Sequence, residues 1–129
     1  MKTYLSPLLT SLCKVENKKE KLENFKAAIS STVRSISNSQ KIEVSFGNQI
    51  SKSDKNSIKL PDLDNMSNRL NFKEIRAVAD SKSLRFRFSN KATLKKYEPE
   101  GNISKKLYNI SEKIRCEKIG TSYFKGVKN

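Results

Sequence analysis

Apolar residues recur at steps of three and four over much of the chain. Leu22, Phe25, Ile29, Val33 and Ile36 share one helical face, with Asn24, Lys26 and Arg34 off it. The polar run Ser37-Asn38-Ser39-Gln40 predicts the end of that helix, because these residues favour turns. Lys41 to Phe46 then alternates strictly, with β-branched and aromatic residues on one side, and predicts a half-buried strand closed by Gly47. Residues 48–56 are polar and predict a surface loop. Ile58-Lys59-Leu60-Pro61 fits an edge partner for the first strand, since Pro61 cannot donate to a ladder and suits a strand end. Asp62-Leu63-Asp64-Asn65 continues as loop. Its two aspartates lack the glycine and the closing glutamate of a calcium loop, so they read as turn residues.

Asn71 is placed as an N-cap for a helix with Phe72, Ile75 and Ala79 on one face. Leu84-Arg85-Phe86-Arg87-Phe88 carries two signals. It alternates like a strand, yet Ala79, Ser83 and Phe86 keep helical spacing. One helix to about Phe88 is preferred, with a strand from Leu84 as the alternative. After a loop, Glu98-Pro99-Glu100-Gly101 has proline and glycine where a type I turn wants them. A last helix is predicted from Asn102 to Lys118, with Ile103, Leu107, Ile110 and Ile114 on one face and Gly120 as its stop. Tyr123-Phe124 follows as a short apolar anchor. At the other end, Leu5, Leu8, Leu9 and Leu12 predict a short amphipathic helix rather than a signal peptide. Pro7 and hydroxyl residues interrupt the run, and no small-x-small site precedes Lys18-Lys19-Glu20-Lys21. The expectation is an α+β fold: a predominantly helical single domain over residues 21–129 with a small two- or three-stranded sheet, preceded by an extension at 1–20.

Composition narrows the function classes. The chain has 129 residues, 35% apolar and 31% charged, enough for one modest core. No window approaches the ~20 apolar residues of a membrane span, and a cytoplasmic location is expected. Against 13 Asp and Glu stand 27 Lys and Arg, a formal charge of +14. Clustered cations favour nucleic acid or an acidic partner. A solvated coat of lysines accounts for the same number, and the two readings stay level. Arg85-Phe86-Arg87-Phe88 interleaves cations with rings that can stack on bases, which makes a basic nucleic-acid-binding module the alternative function. The glycine-spaced pattern of RNA-binding sheets is absent. Cys13 and Cys116 stand far apart and there is no histidine, so a tetrahedral zinc site is not expected and the usual neutral-pH base is missing. No phosphate-binding glycine loop occurs.

Several short blocks then fall in a telling order. Glu23-Asn24-Phe25-Lys26-Ala27-Ala28 is followed by Thr32-Val33-Arg34-Ser35-Ile36, by Val44-Ser45-Phe46-Gly47 and by Leu60-Pro61. Arg76 to Arg85 contains an arginine, then Ala79-Asp80, a small residue and Leu84-Arg85. Pro99-x-Gly101 and a helix end carrying Glu112, Arg115, Glu117 and Gly120 complete the series. In this order and spacing the chain resembles the N-terminal region of CobT, a subunit of the aerobic, ATP-dependent cobaltochelatase of cobalamin biosynthesis. It departs from that pattern at Ala77, at Ser89-Asn90 and at Lys105, Lys106 and Lys118. Family members continue into an acidic linker and a von Willebrand factor A-type domain. Asp80-Ser81-Lys82-Ser83 is not that domain's Asp-x-Ser-x-Ser metal site, so the chain looks like an N-terminal part.

The resemblance implies a ligase-class complex that inserts cobalt into the corrin ring of hydrogenobyrinic acid a,c-diamide, with this chain as a non-catalytic subunit. Its implied partners are an AAA+ ATPase subunit, a large tetrapyrrole-binding subunit and further copies in a homo-oligomeric ring, with no membrane and with nucleic acid disfavoured. ATP, magnesium and cobalt would be used by the complex, none bound by this chain. No catalytic, cofactor or metal residues are assigned. The candidate subunit-interface residues are Arg76, Asp80, Arg85, Glu112, Arg115 and Glu117. Asp80 is expected to point away from the core, Arg76 to be its neighbour on the same face, and Glu112 and Arg115 to form an i, i+3 pair.

Overall fold

The first helix, α1, runs unbroken from Pro7 to Ser37, so the expected N-terminal helix and the Leu22–Ile36 stripe belong to one element. The structure is a computed structural model, described over residues 7–47, 56–62 and 69–127, with side chains from residue 18 in the first segment and 72 in the third. The side chains of the leucine stripe before Lys18 and of Cys13, most of the 48–56 loop and the Leu63–Asn65 turn lie outside the described residues. Proline suits the first helical position of α1, where its missing N–H costs nothing. Asn38 ends the helix in the left-handed region at φ 54°. Ser39 N–H donates to the Arg34 carbonyl at 3.2 Å and Asn38 N–H to that of Ser35 at 3.3 Å, the Schellman arrangement that satisfies the last carbonyls.

Strand β1, Glu43–Phe46, and strand β2, Ser57–Leu60, pair in parallel, with Glu43 opposite Ser57 and Phe46 opposite Leu60. Of the two- or three-stranded options, two strands form among the described residues. Gly47 closes the pair at φ 65°, its N–H donating to the Leu60 carbonyl at 2.9 Å. A side chain there would crowd Asp62. Helix α2, Arg69–Phe88, crosses the middle of the molecule, packing on α1 and β2 along one side and on α4 along the other. It starts before Asn71, which therefore lies inside the first turn and is not the N-cap expected of it. The Leu84–Phe88 segment is helical, as preferred: Leu84 is fully buried and the alternation of arginine and phenylalanine does not override the helical stripe.

The main core gathers Ile29 and Val33 from α1, Ile42, Phe46, Ile58 and Leu60 from around the sheet, and Ile75 and Ala79 from α2. Phe25 meets Phe72 edge-to-face at 4.6 Å on its rim. Burying each such aliphatic side chain is worth roughly 1.5–3 kcal/mol, so this cluster is what joins α1, sheet and α2.

Beyond Phe88 the expected loop contains a short helix, α3, from Lys91 to Lys96. Asn90 caps it, its side-chain oxygen accepting from the N–H groups of Ala92 and Thr93. Residues 98–101 form a bend instead of a hydrogen-bonded turn, with Gly101 at φ 95° before α4. Helix α4 spans Asn102–Tyr123, past the predicted end at Lys118 and through Gly120. Gly120 is not a stop. It is buried against Leu84, and an added Cβ would lie 2.5 Å from both Leu84 methyl carbons. The helix ends where Phe124 turns extended, before a single 3-10 turn at Lys125–Val127. Tyr123 stays exposed while stacking on Phe88 at 5.6 Å, so its anchoring is partial. Among the described residues no helix is long and apolar enough to cross a membrane.

Candidate functional site

All six residues singled out from the sequence stand at or beside the junction of α2 and α4. Leu84 on α2 and Cys116 and Gly120 on α4 form its dry centre, and polar side chains surround it. Arg85 donates to the Asn109 side-chain oxygen at 2.6 Å. Ser81 donates to Glu117 at 2.6 Å, and Lys113 lies 3.8 Å from the same carboxylate oxygen. Arg115 grips Glu112 with Nε at 2.7 Å and Nη2 at 2.8 Å, and that Nη2 also donates to the Phe88 carbonyl at 2.8 Å. The i, i+3 pair expected of Glu112 and Arg115 is present, and it also caps the C-terminal end of α2.

The electrostatics follow from these contacts. The paired Arg115 guanidinium pulls the Glu112 carboxyl down to about 2 against the penalty of burial. Burial pushes the Cys116 thiol up, so this cysteine is a packing residue more than a nucleophile.

Asp80 corrects its expectation: the side chain is buried, not turned away from the packed interior. At i+5 from Ile75 and i+4 from Arg76 it faces the α4 side of α2, which the single-stripe reading treated as solvent. Its Oδ2 lies 3.9 Å from Arg76 Nε, as the same-face pairing anticipated. Its Oδ1 is buried with no hydrogen bond. Desolvation raises its pKa, against the smaller pull of Arg76. The folded state therefore holds the Asp80 proton more tightly than the unfolded chain does. The stability this proton confers is complete below the ordinary value of 3.8 and is lost as pH rises through the raised one. At neutral pH the charge works against the fold.

Asp80, Arg76 and Ser81 line a groove of about 720 Å³ whose far wall is Glu117, Thr121, Gly126 and Val127. It offers acceptors and cations side by side. A second cleft, of about 750 Å³, opens between β2, α2 and α3. Lys59, Lys82, Arg85 and Lys91 surround it without a carboxylate, and Ile58, Phe86 and Leu94 supply apolar wall. The described residues contain no group of three or more side chains able to hold a metal ion.

Ser81, Asn109 and the Leu84–Gly120 contact were missed from the sequence. Only the close approach had a signal there, a glycine inside a helical pattern, and it read more simply as a stop. Residues 19–129 match the family model described as cobalamin biosynthesis protein CobT. The chain belongs to the CobT family. The matched span begins inside α1 and takes in both strands, the core and the whole α2–α4 junction. It places the chain in cobalamin biosynthesis. No solved structure matches the chain.

Proposed function

We propose that this chain acts as a non-catalytic assembly subunit of a cobaltochelatase, the ligase-class complex in which an AAA+ partner hydrolyses ATP with magnesium while a large subunit holds the corrin that receives cobalt. Membership of the CobT family over residues 19–129 carries this reading. The α2–α4 junction supports it. Three inter-helix hydrogen bonds, from Arg85, Ser81 and Arg115, tie α4 to α2, an arrangement through which a partner's motion could be passed on. Cobalt is cargo of the complex and ATP is the partner's substrate. This chain's contribution is contact and coupling, centred on Arg76, Asp80, Arg85, Glu112, Arg115 and Glu117. In this reading residues 1–20 are an extension ahead of the working domain, and the site of action is cytoplasmic.

Co-expression with the AAA+ ATPase subunit, followed by size-exclusion chromatography with and without ATP, is the test. Co-elution is expected in at least one nucleotide state; separate elution in both sinks the assembly reading. The basic cleft at Lys59, Lys82, Arg85 and Lys91 favours one other reading, a nucleic-acid-binding module. Titration with a single-stranded oligonucleotide separates the two. Tight binding that falls steeply with salt would support nucleic acid, and binding undetectable at low salt would remove it.

A further inference from the structure

The last helix presents its best apolar stripe to solvent. Ile103 is 84% exposed, Leu107 64%, Ile110 54% and Ile114 58%, while Cys116 and Gly120, on roughly the opposite side of α4, make the contact with α2. Four aliphatic side chains on one line are not scattered surface residues. The spacing is four, three, four, which is the 3.5-residue repeat of a coiled-coil seam and narrower than the face a helix buries in a globular core. In that repeat Ile103 and Ile110 take position d, and Leu107 and Ile114 take position a. Lys106 and Lys113 then fall at g, and Ser104, Ser111 and Lys118 at e. Lys106, Lys113 and Lys118 are all exposed, and the described ion pair of Lys113 is intrahelical, with Glu117.

We infer that the outer face of α4 docks an acidic amphipathic helix of a partner protein, one with an apolar a/d seam and glutamates or aspartates opposite Lys106, Lys113 and Lys118. Charge decides the occupant. Two copies of this chain paired antiparallel would set g against g and confront Lys106 and Lys113 with their own kind. Paired in parallel, they would set Lys113 against Lys118 with no carboxylate at any e or g position. A lipid surface is the poorer fit, because the stripe spans only about 60° of the helix and carries no interfacial tryptophan. From Ile103 to Ile114 the stripe is about 17 Å long. That is shorter than the three to four heptads of a self-sufficient coiled coil, so micromolar affinity is expected for this contact alone. The inference deepens the assembly reading and rests on it for biological meaning, but its chemistry is testable without the ATPase.

The probe is a synthetic three-heptad peptide with leucine at a and d and glutamate at e and g, fluorescently labelled and titrated with the full chain. Controls are the same peptide with lysine at e and g, and a scramble of the glutamate peptide that breaks its seam. The glutamate peptide is expected to bind at micromolar Kd, with both controls at least tenfold weaker. Leu107→Ser with Ile110→Ser should cost at least tenfold while leaving the melting temperature unchanged. Lys106→Glu with Lys113→Glu should reverse the preference to the lysine peptide, which keeps the test open if the serine variant misfolds. Equal binding of the scramble, or no loss in the serine variant, would overturn the inference. So would a dimer in sedimentation that the serine variant splits, which would assign the stripe to a second copy. Binding to phosphatidylserine vesicles abolished by the same variant would assign it to lipid. Peptide binding without co-elution of the ATPase subunit would sink only the chelatase reading.

Discussion

Gly120 and Asp80 both sit inside the α2–α4 junction, one pressed against Leu84 and the other with a buried carboxylate oxygen. A glycine inside a helix costs about 1 kcal/mol relative to alanine, so it needs a reason, and Leu84 at van der Waals distance is that reason. Gly120→Ala is therefore expected to destabilise despite its better helix propensity, by about 1–3 kcal/mol, the usual penalty of overpacking. Leu84 is fully buried, and its branched end would have to shift to admit the methyl group. Thermal unfolding followed by circular dichroism checks this, and Leu84→Ala added to Gly120→Ala should recover part of the loss. A melting temperature that rises in Gly120→Ala alone would restore the reading of Gly120 as a tolerant helix-end position. Asp80 was misplaced for a related reason. Ile75 and Ala79 define one buried face, and nothing along α2 itself announces that α4 will cover a second one.

At the scale of elements, the long periodic segments were legible and the joints between them were not. The α1 stripe, the β1 alternation and the continuation of α2 to Phe88 all emerge from spacing, because each element buries one coherent face against the common core. Helix α3 has no buried residue, so it left no apolar period to find. Only the cap at Asn90 betrays it. Helix α4 carries a clear period whose apolar face is the exposed one, while a cysteine, a glycine and paired polar groups hold its inner side. Arg115 is the central polar link. Removing it in Arg115→Ala abandons the Glu112 pair and the Phe88 carbonyl together, at a cost of about 1 kcal/mol, kept small because the guanidinium is half exposed. Glu112 titrates at about 2, below its ordinary 4.5. Its contribution is thus complete above pH 4.5 and lost as pH falls through about 2. The gap in melting temperature between parent and Arg115→Ala should accordingly be full at pH 7 and shrink from pH 4.5 toward 2. Carbon-detected carboxyl titration should show the Glu112 value returning toward 4.5 in the variant. A gap unchanged across that range would mean that Arg115 acts through packing alone.

For the whole molecule, charge is the dominant feature that no single element explains. A formal +14 on 129 residues means that carboxylates are far too few to neutralise the lysines and arginines, whichever pairs form. Five carboxylates with described ion pairs, on Glu23, Asp80, Glu98, Glu112 and Glu117, are already engaged with cations of the same chain. The surplus must repel itself across a small fold, and added salt screens such repulsion over roughly 8–10 Å at 0.1–0.15 M. If the surplus is spread as a general coat, melting temperature should rise by a few degrees between 20 and 200 mM sodium chloride. Phosphate, at matched ionic strength, should then do no better than chloride. If the cations around Lys59, Lys82, Arg85 and Lys91 act together as an anion site, phosphate should stabilise beyond chloride at equal ionic strength, because binding only the folded state adds to its stability. The coat is the expected outcome. Lys82 is already committed to the Lys59 carbonyl and Arg85 to Asn109, which leaves the cleft's cations partly spent on the fold itself. A phosphate-specific gain would overturn that expectation and move the second cleft from solvated surface to binding site. A melting temperature that instead falls with salt would show that the described ion pairs outweigh the repulsion.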